Sequence, residues 1–115
     1  MRPNAVTDAE AYVADLQSTL TAPYDRECLA CYLLRMVGEF GCNGTHRWTE
    51  RWREVSAPRA TTLLRRLASR GGCCCDCEVL LNVYPERLPE DDLAPVPACA
   101  GVSRRGSTAP CKGVP

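Results

Sequence analysis

Nine cysteines in a chain of 115 residues are the side chains best suited to chemistry. Cys28 and Cys31 form a C-x2-C pair, and Cys75 and Cys77 form a C-x-C pair. The first spacing puts both sulfurs on one side of a helix, and the second puts both on one face of an extended chain. Four soft thiolates are the ligands of a tetrahedral zinc site. The two pairs therefore predict a zinc site at Cys28, Cys31, Cys75 and Cys77.

Cys42 offers a second way to complete the C-x-C pair. If the helix that carries Cys31 is continuous, Cys42 lies about 16 Å further along its axis, at ~1.5 Å per residue. Zinc–sulfur bonds of ~2.3 Å do not bridge that distance, so Cys42 and Cys31 should not share an ion. The alternative site joins Cys42 to Cys75 and Cys77, with His46, the single histidine, as the fourth ligand. The sequence leaves both ligand sets open.

The use of the cysteines depends on the cellular compartment. The first ten residues contain no apolar run that could serve as a secretory signal, and no stretch approaches the roughly 18 apolar residues of a membrane span. We therefore expect a cytoplasmic protein without a membrane segment, whose thiols stay reduced and bind metal rather than pair. The odd cysteine count, with three contiguous cysteines at 73–75, also argues against a framework of disulfides.

The elements that must position these thiols are predicted to be mainly helical. Capping residues and apolar side chains at spacings of three and four predict four helices. They cover residues 7–20, 26–40, 45–55 and 58–70. Residues 78–84 are an apolar run that favours a short extended segment. The fold class is thus a small, mainly α domain of about four helices with one C-terminal extended segment, stapled by metal.

The last part of the chain has a different composition. Residues 85–115 contain six of the nine prolines together with glycine, serine and charged residues. Such a segment buries too little apolar surface to fold, so it is predicted to be a disordered tail. Cys99 and Cys111 would then lie far from any packed partner. The predicted organisation is a Cys-rich helical domain over residues 1–84 and a disordered tail over 85–115.

Arginines concentrate in the third and fourth predicted helices, although the net charge of the chain is zero. They could meet phosphates of a nucleic acid, and the five candidates are Arg51, Arg59, Arg65, Arg66 and Arg70. The competing interpretation is that arginines on the outer faces of amphipathic helices keep the protein in solution. Trp48 and Trp52 fit the buried stripe, so no aromatic platform for bases is expected.

Three strings of the sequence resemble a known family. They are Glu27-Cys28-Leu29, Gly41-Cys42-Asn43-Gly44-Thr45 and Cys75-Asp76-Cys77-Glu78-Val79-Leu80. Together they resemble the uncharacterised bacterial domain-of-unknown-function family number 2695, in its actinobacterial form, over residues 26–84. The resemblance implies a short cytosolic protein without an established activity, and so a class rather than a mechanism.

The expected function is a small zinc-binding protein that interacts with a protein partner and is not an enzyme. No glycine-rich phosphate loop, H-E-x-x-H or G-x-S-x-G string is present. A nucleophilic Cys-His pair would have to use Cys42 and His46. Two alternatives remain: a nucleic-acid-associated or ribosome-associated module, and a thiol-based metal or redox sensor that uses Cys73 and Cys74.

Overall fold

The computed structural model describes residues 5–89, 91, 96 and 98–112 of the chain. Residues 1–4 of the predicted domain lie outside the described residues, as do residues 90, 92–95, 97 and 113–115 of the predicted tail. In the described part, no helix is both long enough and apolar enough to cross a lipid bilayer.

The described residues form five α-helices and no strand, which confirms the mainly α fold class. The helices are α1 (Ala5–Leu20), α2 (Leu29–Phe40), α3 (Arg47–Ser56), α4 (Leu63–Ser69) and α5 (Asp76–Glu78). The chain continues from α5 into a π-helical turn (Val79–Val83) and then a 3₁₀ turn (Pro85–Arg87).

The core forms around α2, which packs against α3, α5 and the π-helical turn. Leu29, Leu33 and Met36 are buried at the helical spacings that the amphipathic pattern predicts. Trp52 of α3 is buried beside them, and its Nε1 donates to the carbonyl of Glu27, 2.9 Å away. α2 is therefore fixed in the centre of the fold, with a cysteine-bearing segment at each end.

α2 begins at Leu29, three residues later than predicted. Arg26 has a φ of 62°, in the left-handed region, so a right-handed helix does not start there. Cys28 has extended backbone, and its Sγ accepts a hydrogen bond from the N–H of Cys31 at 3.4 Å. Cys28 thus caps α2 in the way that serine or aspartate caps other helices.

α3 and α4 also differ from the prediction at their ends. α3 begins at Arg47, and Val55 at its other end is exposed rather than turned inward. α4 begins at Leu63 rather than Pro58, because residues 58–62 form turns such as the one closed by Leu63 N–H and the Ala60 carbonyl. Pro58 therefore lies in a turn and does not begin a helix.

The predicted extended segment at residues 78–84 is wrong, because these residues are helical. Val79, Leu80 and Val83 are buried while Leu81 is exposed, which is a helical pattern and not an alternating one. The N–H of Tyr84 donates to the carbonyl of Val79 at 3.2 Å, so the turn spans five residues. Within these seven residues only Glu78 and Asn82 are polar, which is too few to make the helical period evident in the sequence.

Residues 98–112 lie against the helices, unlike the disordered tail that their composition predicts. Val102 is buried, and its N–H donates to the carbonyl of Arg26 at 2.8 Å. The guanidinium of Arg26 donates in return to the carbonyls of Val102 and Ser103, at 3.0 and 2.9 Å. Cys99 and Cys111 pack against the same core, so the expectation that they lie far from a packed partner is wrong.

α1 is attached to the remainder of the fold through its C-terminal end. Arg51 of α3 donates to the carbonyls of Ser18 and Thr21, and the hydroxyl of Tyr32 donates to the Thr21 carbonyl at 2.6 Å. The apolar face of α1, which includes Leu16, stays exposed. The thiols are therefore positioned by α2, α3, α5 and the C-terminal segment without α1.

Candidate metal centre

Four cysteine sulfurs meet at the N-terminal end of α2. Cys28 and Cys31 come from that end of the helix, and Cys99 and Cys111 come from the C-terminal segment. All four Sγ atoms lie within 4.8 Å of one another, and those of Cys31 and Cys111 are 3.8 Å apart. Cys28 and Cys111 are buried and the other two are half-buried. We refer to these residues as the four-thiol cluster.

Backbone amides donate to the sulfurs of this cluster. The Sγ of Cys99 accepts from the N–H of Cys28 at 3.4 Å and from the N–H of Gly101 at 3.3 Å. The Sγ of Cys28 accepts from the N–H of Cys31 at 3.4 Å. Because hydrogen bonds from N–H groups favour a charged acceptor, they favour the thiolate over the thiol. The backbone is thus arranged for negatively charged sulfur.

The sulfurs also influence one another strongly. The side chain of Cys31 is the main cause that lowers the pKa of Cys28 to about 5, against the opposing effect of burial, and the backbone N–H groups of Cys31 and Cys111 add to it. The pKa of Cys31 is raised, first by Cys28 and then by burial. Burial likewise raises the pKa of Cys99. Without a cation, the first negative charge therefore forms at Cys28 and opposes the ionisation of its neighbours.

A buried arginine lies beside the four-thiol cluster. Arg87 is 8% exposed, and its Nη2 donates to the carbonyl of Cys111. Its Nε and Nη1 are buried and have no hydrogen-bond partner among the described residues. A buried cation is costly unless an anion compensates it. An ionised thiol cluster is the kind of neighbour that would supply this compensation.

The structure does not bring Cys28 and Cys31 together with Cys75 and Cys77. The second pair lies at the beginning of α5, near Cys42 and the loop that follows α2. The two predicted pairs are therefore at opposite ends of a 12-residue helix, about 18 Å apart along its axis at ~1.5 Å per residue. The sulfurs that complete the first pair come from the C-terminal segment instead.

Cys42, Cys75 and Cys77 form a second group, which we call the three-thiol cluster. All three residues are half-buried, and their sulfurs do not all lie within 4.8 Å of one another. Burial acts to raise the pKa of Cys42, but the backbone N–H groups of Gly44 and Cys77 and the side chains of Cys77 and Cys75 lower it overall. Burial and then the Cys42 side chain raise the pKa of Cys77 to about 11. Cys42 is the sulfur that these surroundings favour as a thiolate.

His46, the predicted fourth ligand of this group, is held by another contact. Its Nε2 lies 2.9 Å from the carbonyl of Gly72, which fixes that nitrogen as the donor. Cys73 and Cys74 are joined by a disulfide, so neither supplies a thiol in this state. The Sγ of Cys73 lies 3.3 Å from a carboxylate oxygen of Glu78.

The arginines proposed for phosphate binding are not equivalent. Arg51 is half-buried and occupied with the carbonyls at the end of α1. The other four are exposed around α4, and they are Arg59, Arg65, Arg66 and Arg70. Of these, Arg70 also lies over the ring of Tyr84, 6.0 Å from its centroid.

Sequence reasoning missed Cys99 and Cys111 as partners of the C-x2-C pair. Proline and glycine content dominated the interpretation of their segment, and neither cysteine has a second cysteine within a few positions. The one available signal is that two cysteines lie in this segment, which has few other large apolar residues. Arg87 carried no signal at all, because nothing in its neighbourhood distinguishes it from a surface arginine.

The fold and the site define a small helical, thiol-rich protein with sulfurs gathered at both ends of one helix. Sequence comparison gives its family: residues 29–82 match the family described as "Protein of unknown function (DUF2695)". The chain belongs to this family, which confirms the resemblance in its actinobacterial form.

Two mycobacterial relatives illustrate the similarity. The chain is 37% identical over 70 residues to Uncharacterized protein Rv2271 of Mycobacterium tuberculosis and to Uncharacterized protein Mb2294 of Mycobacterium bovis. The aligned region covers 60% of this chain and 70% of each relative. No solved structure matches the chain. The names of these relatives indicate no activity.

Proposed function

We propose that this protein is a cytoplasmic metal-binding module in which the four-thiol cluster holds one structural thiophilic ion, most simply zinc. The observation that carries the proposal is that Cys28, Cys31, Cys99 and Cys111 place four sulfurs within 4.8 Å. Sulfur is the donor that selects zinc and other thiophilic ions over magnesium or calcium. Binding releases the remaining thiol protons to solvent as the ion takes their place.

The dimensions of the cluster fit such an ion. Four sulfurs placed ~2.3 Å from a tetrahedral zinc ion are separated from one another by about 3.8 Å. The Sγ atoms of Cys31 and Cys111 have a separation of 3.8 Å. Four thiolates also fill the coordination shell of zinc, which is typical of structural sites and leaves no position for a substrate. We therefore propose a structural role and no catalysis.

The charge of the occupied site supports the same proposal. Four thiolates and one divalent cation carry two net negative charges, which a buried site must compensate. The guanidinium of Arg87, with two buried N–H positions that lack partners in the described part of the chain, supplies one positive charge beside the Cys111 backbone. The backbone donors to Cys28 and Cys99 compensate further.

The ion would fasten the C-terminal segment to the helical core. Cys28 and Cys99 are 71 positions apart, and Cys31 and Cys111 are 80 positions apart. The segment is otherwise held by the hydrogen bonds to Arg26, by the bond from Arg87 to the Cys111 carbonyl, by the exposed Arg105–Asp25 pair and by burial of Val102. Small domains commonly use a metal or a disulfide where the core is modest. We propose that the helical surface stabilised by this ion binds a protein partner.

Metal analysis of purified variants tests this proposal. The protein is prepared from a reducing cytosol without added metal, dialysed briefly against a chelator, and analysed by mass spectrometry. We expect one zinc per chain in the wild type and in Cys73→Ser, the matched control at an exposed cysteine outside both clusters. Cys99→Ser should lose this zinc. A folded wild type without metal contradicts the proposal, as does a zinc that is lost in Cys75→Ser and kept in Cys99→Ser.

A further inference from the structure

The three-thiol cluster is built on backbone that is fixed from several sides. Gly41, which precedes Cys42, ends α2 with a φ of 79°, and its carbonyl accepts from the Nε1 of Trp48 at 3.1 Å. On the other side of Cys42, the side chain of Asn43 accepts from the N–H of Thr45 at 3.1 Å. The loop that carries Cys42 is therefore held in place by contacts that do not involve its sulfur.

Asp76 holds the other two cysteines against this loop. It lies between Cys75 and Cys77 in the chain, is fully buried, and accepts at 3.0 Å from the backbone N–H groups of Trp48 and Thr49. The hydroxyl of Thr49 donates to it at 2.6 Å. These bonds satisfy donors at the first turn of α3. Cys75 and Cys77 are thus positioned by an anchor that is rigid before any ion binds.

The backbone of Asp76 adds a link to the loop itself. Its N–H donates to the carbonyl of Thr45 at 3.0 Å, so the C-x-C segment is bonded to the loop three residues after Cys42. The surroundings of Cys42 include the side chains of Cys75 and Cys77. Three cysteines from two separate segments are therefore held next to one another by hydrogen bonds that do not involve their sulfurs.

An arginine with an unpartnered nitrogen lies beside this cluster too. Arg47 donates from Nη2 to the carbonyls of Phe40 and Gly41, at 3.2 and 3.1 Å. Its Nε is buried without a hydrogen-bond partner among the described residues. In that part of the chain, the buried side-chain nitrogens that lack a partner belong to Arg47 and Arg87, one beside each thiol cluster. A bound ion with three thiolates carries one net negative charge, which Arg47 can compensate.

We propose that the three-thiol cluster is a second metal site, which takes an exchangeable thiophilic ion through Cys42, Cys75 and Cys77 and leaves its fourth position open to an external ligand. Both carboxylate oxygens of Asp76 already accept bonds from α3. Among the described residues, no histidine or acidic side chain forms a group with two of these sulfurs within 4.8 Å, so the protein itself does not fill the fourth position. Half-burial of all three cysteines gives an ion and a small external ligand access from solvent.

The open position defines the chemistry of the site. An ion bound by three thiolates completes its shell with water or with a soft exogenous ligand such as a small thiol. Exchange of that ligand gives a route by which the ion can be passed on or lost, which a closed shell of four thiolates does not offer. The second site is thus suited to transient metal binding, and the four-thiol cluster is suited to permanent binding.

Cobalt titration tests this proposal, because the visible spectrum of Co²⁺ distinguishes four thiolate ligands from three. The experiment uses metal-free full-length protein with Cys73→Ser and Cys74→Ser, so that the vicinal pair adds no thiols, and a phosphine reductant. We expect two equivalents to bind. The first gives a four-thiolate spectrum. The second binds at least about tenfold more weakly, gives a three-thiolate spectrum, and shifts when 2-mercaptoethanol is added.

Variants in that background assign each equivalent. Cys42→Ser should abolish the second equivalent and keep the first, and the retained four-thiolate spectrum shows that the variant is folded. The double variant Cys31→Ser/Cys99→Ser, which leaves two thiols in the four-thiol cluster, should remove the four-thiolate spectrum and keep the three-thiolate one, which separates this proposal from the structural site. Cys77→Ser is a second variant with the same expected result as Cys42→Ser.

Three outcomes would overturn the proposal. The first is saturation of the protein by a single equivalent of Co²⁺. Another is that both Cys42→Ser and Cys77→Ser still bind two equivalents of Co²⁺. The last is that the spectrum of the weakly bound Co²⁺ does not respond to 2-mercaptoethanol. That result would mean that the fourth coordination position is closed.

Discussion

The two thiol clusters occupy opposite ends of the same helix but are assembled in different ways. The four-thiol cluster joins the beginning of α2 to a segment more than seventy positions away, and two of its cysteines are buried. The three-thiol cluster joins the loop after α2 to α5, and all of its cysteines are half-buried. The first is compact, with sulfurs within 4.8 Å, and the second is looser.

The difference lies in what holds each cluster together without an ion. The three-thiol cluster is anchored by Asp76, which bonds to α3 and to the loop irrespective of the sulfurs. At the four-thiol cluster, sulfur contacts of Cys99 and Cys111 join the C-terminal segment to α2. The segment is also held by hydrogen bonds from Arg26 and Arg87 and by the exposed Arg105–Asp25 pair. We therefore expect a bound ion to hold the C-terminal segment in place at the N-terminal end of α2. At the C-terminal end of α2 we expect an ion to bind without changing the structure.

Removal of the ion from the four-thiol cluster should have the largest effect. Chelation, or the Cys28→Ser substitution, opens a cross-link between positions 71 residues apart. In the chain-entropy model of cross-links, a closed loop of that length contributes about 4 kcal/mol to the free energy of unfolding. We expect a loss of this size in denaturant unfolding, with hydrogen exchange at Gly101 and Val102 accelerated first.

The matched substitution at the other end of α2 is Cys42→Ser. It should change the free energy of unfolding by less than about 1 kcal/mol, because Cys42 is half-buried and a serine hydroxyl can accept the hydrogen bonds that the backbone N–H groups of Gly44 and Cys77 give to the sulfur. Equal losses from Cys28→Ser and Cys42→Ser would remove the distinction between a structural and an exchangeable cluster.

Loss of the Asp76 anchor should be the next largest effect. Asp76→Ala removes a fully buried acceptor of three hydrogen bonds and leaves the N–H groups of Trp48 and Thr49 unsatisfied. We expect the free energy of unfolding to fall by about 3 kcal/mol. Glu78→Ala, two residues along, is the control and should change stability by less than about 0.5 kcal/mol.

Metal binding by the Asp76→Ala variant tests whether Asp76 supports the three-thiol cluster alone or both clusters. The second Co²⁺ equivalent should weaken, because Cys75 and Cys77 lose their support, and the first should keep its affinity. If both equivalents weaken to the same extent, the two clusters are coupled and the anchor does not act on one end of α2 alone.

Much of the helical framework could be predicted from the sequence, because local patterns determine it. Leu29, Leu33 and Met36 repeat at helical spacing, and the C-x2-C pair lies at one end of that repeat. The argument from helix length kept Cys42 apart from Cys31, and the structure has these two cysteines at opposite ends of α2. Each of these inferences depends on residues close together in the chain.

The partners of the C-x2-C pair were beyond such reasoning, because they depend on contacts distant in sequence. Cys99 and Cys111 join α2 through a turn at Arg26, whose left-handed backbone no local pattern predicts. The role of Asp76 is likewise not local, because it depends on burial under α3 and on bonds to the N–H groups of Trp48 and Thr49. Composition describes the average of a segment and misses the few side chains that fix it.

Arg87 should affect the two states of the four-thiol cluster in opposite ways. Arg87→Met removes the positive charge beside the occupied site, so we expect metal affinity to fall by about 10- to 100-fold, as is usual for outer contacts of metal ligands. In the metal-free protein the same change loses the bond to the Cys111 carbonyl but also removes a buried charge with two nitrogens that lack partners in the described residues, so stability should be unchanged or slightly higher. Isothermal titration with zinc and thermal unfolding of both states measure this.

The control for Arg87→Met is Arg66→Met, at an exposed position of α4 away from both clusters. It should leave zinc affinity and stability unchanged. An Arg87→Met variant that binds zinc as tightly as the wild type would mean that the guanidinium does not compensate the charge of the site.

The smallest effect should come from the ion pair at the edge of the C-terminal segment. Arg105 contacts Asp25 at 2.5 Å, but both side chains are about 70% exposed. Exposed pairs of this kind contribute less than about 1 kcal/mol and are weakened by salt. Arg105→Gln should therefore leave the metal-bound protein unchanged in thermal unfolding. A large loss would mean that the segment is held by surface charge, and the four-thiol cluster would then be a consequence of its docking rather than the cause.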